Sequence, residues 1–434
     1  MPIAGSTLPS MQQTDILPHL FRQEFSNITA VLAAKIGMDQ LERAEDIASE
    51  TFLAAMETWP YRGVPAHPKA WLYRVAKNKV LNYLRRKQIF NRKVAPAIAR
   101  MEDKCEEPEF DLSEQQIQDS LLRMMVALSQ EDLPAESQVV LALRYLCGFG
   151  IDEIATALLA NKEAIVKRLQ RAKAKLKASQ FLPSPTFAMS KPAPIQQVLT
   201  TLYLLFNEGY YSETHPSVLR EELCSEAMRL VRILTDHPAF RTPPVLALQA
   251  LMYFHASRFP ARRHDHGMLL LYENQNPDRW DQRLIYEGVC CLREASQGDS
   301  ASQFHIEATI AYWHTIPGDN PQKWRCILQL YDYLQQFQPS PVAALNRLYA
   351  LAKVEGAAAA IASATDPYLP RNRFYFALMG ELFSASDQDQ AVEYFRKAWA
   401  RSNSEAEREL LQAKINAMGG STTSGSRNRQ SDLL

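Results

Sequence analysis

The chain has 434 residues, 47% hydrophobic, with Lys+Arg and Asp+Glu balanced at 48 each; this suits two to four compact domains and excludes a disordered or uniformly basic protein. No apolar run approaches the roughly 18 residues a spanning helix needs, and the opening MPIAGSTLPSMQQTD lacks a basic stretch followed by an apolar one, so no membrane is expected and the expected location is cytoplasmic. Six cysteines without CxxC spacing point away from disulfides and metal sites, and 15 glycines among abundant Ala, Leu, Gln, Glu, Lys and Arg predict an all-α fold.

Helical spacing begins at Asp15. In LERAEDIASETFLAAMETW the positions Leu41, Ala44, Ile47, Ala48, Phe52, Leu53 and Met56 are expected on one core face, with Pro60, Gly63 and Pro65 ending the helix. PKAWLYRVAKNKVLNYLRRK then runs from Pro68 to Lys87 with no carboxylate; none occurs anywhere between Tyr61 and Met101. Leu72, Ala76, Val80 and Tyr83 or Leu84 fall on one face as core, leaving Arg74, Lys77, Asn78, Asn82 and Arg85 on the other. Such a face serves either as a solvated surface or as a nucleic-acid contact, and Trp71, Tyr73 and Tyr83 beside cations suit stacking on unpaired bases. The acidic MEDKCEEPEFDLSE reverses the sign and reads as a linker.

A second helical block starts at Ile117. Its end, GIDEIATALLANKEAIVKRLQRAKAKLK, has the rhythm of two helices joined by a short turn, with Asn161 as N-cap and a basic second helix carrying Lys167, Arg168, Arg171, Lys173, Lys175 and Lys177. This is either a packed hairpin with a solvated face or a helix-turn-helix presenting its second helix to a major groove. The prolines of FLPSPTFAMSKPAP then break the chain. Helices rich in Tyr, Leu and Ala follow, broken at His215-Pro216, Pro243, Asn276-Pro277, Pro317-Gly318, Pro339, Pro341, Gly356 and Asp366-Pro367, a spacing like helical repeats of roughly 34 residues. The expected divisions are 15–94, an acidic linker 95–116, 117–180, a Pro-rich linker 181–194, a helical domain 195–418 and a polar tail 419–434 expected to be disordered.

AEDIASETFLAAMETW, PKAWLYRVAKNKVLNYLRRK and LPAESQVVLALRYLCGFGIDEIATALLANKEAIVKRLQRAKAKL, in that order, resemble regions 2 and 4 of bacterial extracytoplasmic-function (ECF) RNA polymerase sigma factors. YLLFNEGYY, EAMRLVRIL, RRHDHGMLLLYENQNPDRWD and SPVAALNRLYALAKVEG resemble the extension of the subgroup with a C-terminal tetratricopeptide-like (TPR-like) domain. The resemblance implies a region 2 helical bundle, a region 4 helix-turn-helix and a helical-repeat domain regulating in cis. It implies as partners core RNA polymerase, through its β′ coiled coil and β flap, and promoter DNA, with an unknown ligand or protein at the C-terminal domain. It implies Asp46, Ser49 and Glu50 at the polymerase; Trp71, Tyr73, Lys77, Asn78, Asn82, Arg85 and Arg86 at the minus-10 element; and Asn161, Lys162, Glu163, Lys167, Arg168 and Arg171 at the minus-35 element. Ser49 stands where glutamine is common, Asn82 where aspartate is common, and Leu159-Ala160 replace the usual glycine-containing turn.

In the C-terminal part, Phe206 to Tyr210 (FNEGY) and Arg258, Arg262, Arg263, His264, Asp265, Glu273, Gln275, Asp278 and Arg279 form either a polar pocket or inter-helix bonds and caps. His264-Asp265-His266 alone makes no metal site, and no cofactor is expected. With no nucleophile–base pair, phosphate loop or paired carboxylates, no enzyme is expected. Two other readings stay open: a one-component helix-turn-helix regulator, and a TPR-like protein-binding adaptor with a degenerate sigma half.

Overall fold

The computed structural model describes residues 13–94, 112–130, 132–158, 160–178, 192–210, 220–262, 275–298, 301–318, 320–337, 339–364, 369–402 and 405–419. Outside them lie 95–111 of the acidic linker, 181–191 of the Pro-rich linker, 420–434 of the tail, His215-Pro216, Asp366-Pro367, Leu159 and Arg263, His264, Asp265, His266 and Glu273; the side chains of Lys87, Arg92 and Lys93 are likewise not described. The described residues are helical throughout, without a strand, as an all-α composition dictates. They divide into two compact units, Met1–Leu205 and Phe206–Leu434.

The first unit contains α1 (Gln13–Ile36), α2 (Leu41–Arg62), α3 (Pro68–Val94), α4 (Glu114–Leu128), α5 (Ala135–Leu141), α6 (Ile151–Ala157), α7 (Lys162–Ala178) and most of α8 (Pro192–Tyr210). Its centre is α1, whose Phe25, Ile28 and Leu32 are buried and which packs on α2, α3 and α4. Helix α2 runs through Pro60 in its last turn and stops at Gly63, whose positive φ of 80° suits glycine and whose N–H reaches the Trp59 carbonyl at 2.9 Å. Helix α5 widens into a π turn over Ala142–Leu146. Asn161 caps α7, its Oδ1 accepting the Glu163 N–H at 3.0 Å.

The start of α8 completes this unit. Gln138 of α5, 1% exposed, donates to the Gln130 and Leu133 carbonyls, both at 2.9 Å, and accepts from Thr201 Oγ1 at 2.7 Å and Gln197 Nε2 at 3.1 Å. All the donor and acceptor capacity this buried amide needs is thus met from two segments, one of them α8.

The second unit holds α9 (Glu221–Asp236), α10 (Pro243–Ala256), α11 (Phe259–Arg262), α12 (Gln282–Ala295), α13 (Gln303–Trp313), α14 (Pro321–Phe337), α15 (Pro341–Glu355), α16 (Ala357–Ser363), α17 (Arg373–Phe383), α18 (Gln388–Arg401) and α19 (Glu405–Gly419). Neighbours in sequence are neighbours in space: α9 with α10, α13 with α14, α14 with α15, α17 with α18 and α18 with α19. Pro243, Pro321 and Pro341 each open a helix, where a missing N–H costs nothing. Gly288 and Gly380 let backbone approach aromatic rings, since a Cβ would lie 2.7 Å from Phe254 and 2.6 Å from Phe395.

Candidate functional site

On α2 the buried residues Ala44, Ile47, Ala48, Thr51, Phe52 and Ala55 define the inner face. Leu53 and Met56, expected in the core, are instead 54% and 57% exposed. Phe52 and Leu53 are adjacent and so point about 100° apart; both cannot sit at the centre of one face. Leu53 follows Asp46 by seven residues and Met56 follows Ser49 by seven, so they extend the stripe of Asp46, Ser49 and Glu50. Asp46 is 3.6 Å from Arg43; Glu50 is 3.8 Å from Arg43 and 3.1 Å from Lys79 of α3. These pairs are half in solvent and stabilise by about 0–1 kcal/mol, so an outside partner can replace them.

Helix α3 buries Leu72, Ala76 and Val80 as its pattern predicts, with Tyr83 and Leu84 half-buried. Tyr73 is a correction: it is 4% exposed and donates to Glu24 of α1 at 2.8 Å, so it packs rather than offering a stacking surface. Burial and the Glu24 charge push its phenol far above the usual tyrosine range. Glu24, itself buried, also meets Lys69 at 3.1 Å, so one α1 carboxylate fixes the start of α3 twice. Tyr83 likewise turns to α2, donating to Gln40 at 2.7 Å beneath the Arg43 guanidinium.

The opposite face of α3 is assembled as expected. Trp71, Asn78, Asn82 and Arg85 recur at seven, four and three residues and form one stripe, flanked by Arg74 and Arg86; Asn78, Asn82, Arg74, Arg85 and Arg86 are exposed and Lys77 is half-buried. Trp71 is half-buried against Trp59, ring centroids 5.5 Å apart, which holds it at the edge of the basic face.

Helices α6 and α7 form the two-helix module. Ile165, Leu169 and Ala172 of α7 face inward, while Asn161, Lys162, Glu163, Lys167 and Arg171 are exposed. Lys162 meets Asp152 of α6 at 2.7 Å and Arg168 meets Glu136 of α5 at 2.6 Å. Glu163, Lys167 and Arg171, four residues apart, share the outward face. Lys173, another of the cations of this basic helix, points away from that face and meets Glu42 of α2 at 3.1 Å.

In the second unit the FNEGY segment is built in: Phe206 stacks on Tyr210 at 5.8 Å, Tyr210 lies 4.5 Å from His255, and the Arg262 guanidinium sits 4.0 Å over the Tyr210 ring. Glu208 meets Arg220 at 3.5 Å, and buried Arg258 donates to Gln275 at 3.1 Å. Asn276 caps the short turn Pro277–Arg279 through Asp278 N–H at 3.0 Å. Among the described residues no group of His, Cys, Asp and Glu is placed to hold a metal, no cysteine pair forms a disulfide, and no helix is long and apolar enough to cross a membrane.

Three family profiles match the chain: Sigma-70 region 2 over residues 30–89, Sigma-70, region 4 over 123–176, and a family of unknown function (DUF6596) over 195–296. An uncharacterized protein, R00370, of Rhizobium meliloti (strain 1021) is 33% identical over 347 residues, covering 78% of this chain and 80% of that protein. No solved structure matches. The region 2 match ends on α3 and the region 4 match ends on α7, so the two basic faces fall inside the two matched modules. The chain therefore belongs to one family with the Rhizobium protein and is an RNA polymerase sigma factor of sigma-70 type, whose partners are core RNA polymerase and promoter DNA.

Proposed function

We propose that the protein is an ECF sigma factor working in the cytoplasm, and that the three outward faces of its first unit divide the task. The stripe Asp46, Ser49, Glu50, Leu53 and Met56 docks on the polymerase β′ coiled coil: carboxylates for charge-assisted bonds, two apolar side chains for burial. The face of α3 engages the minus-10 element as it melts. Trp71 lies where an unstacked base can be met, and Lys77, Asn78, Asn82, Arg85 and Arg86 supply phosphate and base contacts. The α7 face reads the minus-35 duplex, with Asn161, Lys162 and Glu163 at the helix start nearest base edges and Lys167, Arg168 and Arg171 on phosphates. The second unit, read as TPR-like, regulates these contacts in cis.

The observation that supports this most is the carboxylate-free outward face of α3 standing beside the acid and apolar stripe of α2 in one compact unit. Transcription from a randomised promoter library by purified bacterial core polymerase, with and without the protein, tests it. Dependent starts sharing two upstream elements are the expected result; absence of both dependent starts and core binding would overturn it. Asp46→Lys with Glu50→Lys should weaken core binding at least tenfold, read by titration against labelled core; unchanged affinity would remove both residues from the interface.

A further inference from the structure

We propose that the first half of α8 is a working part of the minus-35 reader, with Thr201 and Gln197 as positioning residues that set α7 through the buried amide of Gln138. The role of α7 is taken from the sigma reading. The inference goes beyond it, because α8 lies outside the region 4 match, which ends at residue 176, and opens the matched segment of unknown function, which begins at 195. A neutral amide has two N–H donors and two acceptor positions, and those of Gln138 are all used. Its Nε2 holds the Gln130 and Leu133 carbonyls in the turn ahead of α5, and its Oε1 accepts from Thr201 at 2.7 Å and Gln197 at 3.1 Å. An apolar side chain of the same size would only fill the space; an amide with four fixed partners has one pose, so the contact sets register. Burial comes from the apolar neighbours: Thr201 lies three residues after Val198 and four before Leu205, and both are at most 1% exposed.

Two links carry this pose from Gln138 to α7. The turn that Gln138 holds also receives Lys175 of α7, whose Nζ donates to the Asp132 carbonyl. Glu136, two residues before Gln138 on α5, meets Arg168 of α7 at 2.6 Å. Arg168 and Lys175 are seven residues apart, two turns along one side of α7. Two attachment points on one side fix the direction of a helix, and direction decides which of Asn161, Lys162 and Glu163 arrives at base edges. The hydroxyl of Thr201 is therefore remote from DNA yet acts on how α7 meets it.

The test uses the full-length chain in three variants. Thr201→Val removes the hydroxyl and keeps the shape, Gln197→Leu removes the other donor at a half-buried position, and Thr201→Ser keeps the hydroxyl. Without DNA or polymerase, exchange of the Leu133 N–H, which reaches the Gln130 carbonyl at 3.0 Å, should speed up at least about threefold in Thr201→Val and return to the parental rate in Thr201→Ser, with α2 and α3 unchanged. With core polymerase, the readout is the ratio of starts at a promoter taken from the randomised library to starts at the same promoter with one minus-35 base pair changed. That ratio should fall at least about threefold in Thr201→Val and Gln197→Leu and stay parental in Thr201→Ser, while the same ratio for a changed minus-10 base pair stays parental in all three. A chain that had only lost stability would lose starts from every template alike and keep both ratios. Parental minus-35 ratios in both Thr201→Val and Gln197→Leu, an equal fall of the two ratios, unchanged Leu133 exchange in Thr201→Val, or failure of Thr201→Ser to restore the parental values would overturn the proposal. Absence of dependent starts with the parent chain would instead overturn the sigma reading, and with it the purpose assigned to Thr201, whatever the exchange of Leu133 shows.

Discussion

Both units of the chain use ion pairs and ring contacts between helices, but rings seated on glycine are found in the second. In the first, ion pairs tie α1 to α3, α2 to α3, α2 to the π turn and α2 to α7: Glu24 with Lys69, Glu50 with Lys79, Glu45 with Arg144 and Glu42 with Lys173. In the second, rings seat on glycines between α10 and α12 and between α17 and α18, with Phe254 against Gly288, Phe395 against Gly380 and Phe383 stacked on Tyr394 at 5.4 Å and 7°, beside ion pairs such as Arg241–Glu294 and Arg347–Asp332. Charges can be exchanged for other charges, but a ring seated on a glycine has no substitute partner. The ion pairs of either unit are therefore open to exchange, and the ring-on-glycine contacts of the second are not.

The largest break in this contrast should come from Glu45→Ala, which leaves the mostly buried Arg144 without its carboxylate and should cost about 3 kcal/mol. Amide exchange should show protection lost across α2 and α5 and kept in α10–α13. Next is pH, which should act on the second unit. Burial, with help from the Arg258 charge, drops His314 to about 3 and holds His255 well below its usual range; Arg262 and Lys323 add to the effect. The unfolded chain binds those protons near pH 6.5 and the folded chain does not, so stability is present above that value and lost as pH falls toward 3. At about pH 5 the loss from His314 should reach roughly 2 kcal/mol, and His255 adds to it in the same direction. Thermal unfolding of the parent and of His314→Asn at about pH 7 and about pH 5 checks this, the variant having the flatter response. Gly380→Ala sharpens the comparison from the packing side: its Cβ would fall 2.6 Å from the Phe395 ring, and overpacking of this kind costs about 1–2 kcal/mol, read as a lower unfolding midpoint that salt does not alter. The smallest effect is expected from Arg171→Ala, which should weaken DNA binding similarly across sequences and reduce the salt slope by roughly one phosphate.

Local chemistry made the helices and their ends legible. Gly63 stops α2, Pro68 opens α3 and Asn161 caps α7, each a residue type whose backbone preference or side-chain acceptor decides the matter within a turn. The outward stripe of α3 was equally readable, because its inner face is marked by Leu72, Ala76 and Val80. Leu53 and Met56 depart from the expected core because hydrophobicity alone carries no angle: at 100° per residue they lie about 170° and about 110° from the centre of the buried face of α2. Tyr73 and Lys173 lie at the margins of the inner faces of their helices, about 60° and about 75° from the centres, where periodicity alone permits burial or exposure. What decides them is a carboxylate far away in the chain, Glu24 for the tyrosine and Glu42 for the lysine, and a run of positive charge in sequence does not say which cations already have an internal partner.

The π turn has a consequence for kinship. Across Ala142–Leu146 the chain closes bonds five residues apart, as from Cys147 N–H to the Ala142 carbonyl at 3.1 Å, so it holds one residue more than an α-helical turn would. Deleting that residue ahead of Arg144 would rotate everything beyond it by about 100° and carry Arg144 away from Glu45. A one-residue gap at this place in an aligned relative would therefore mark a lineage whose two promoter-reading halves are not tied in this way.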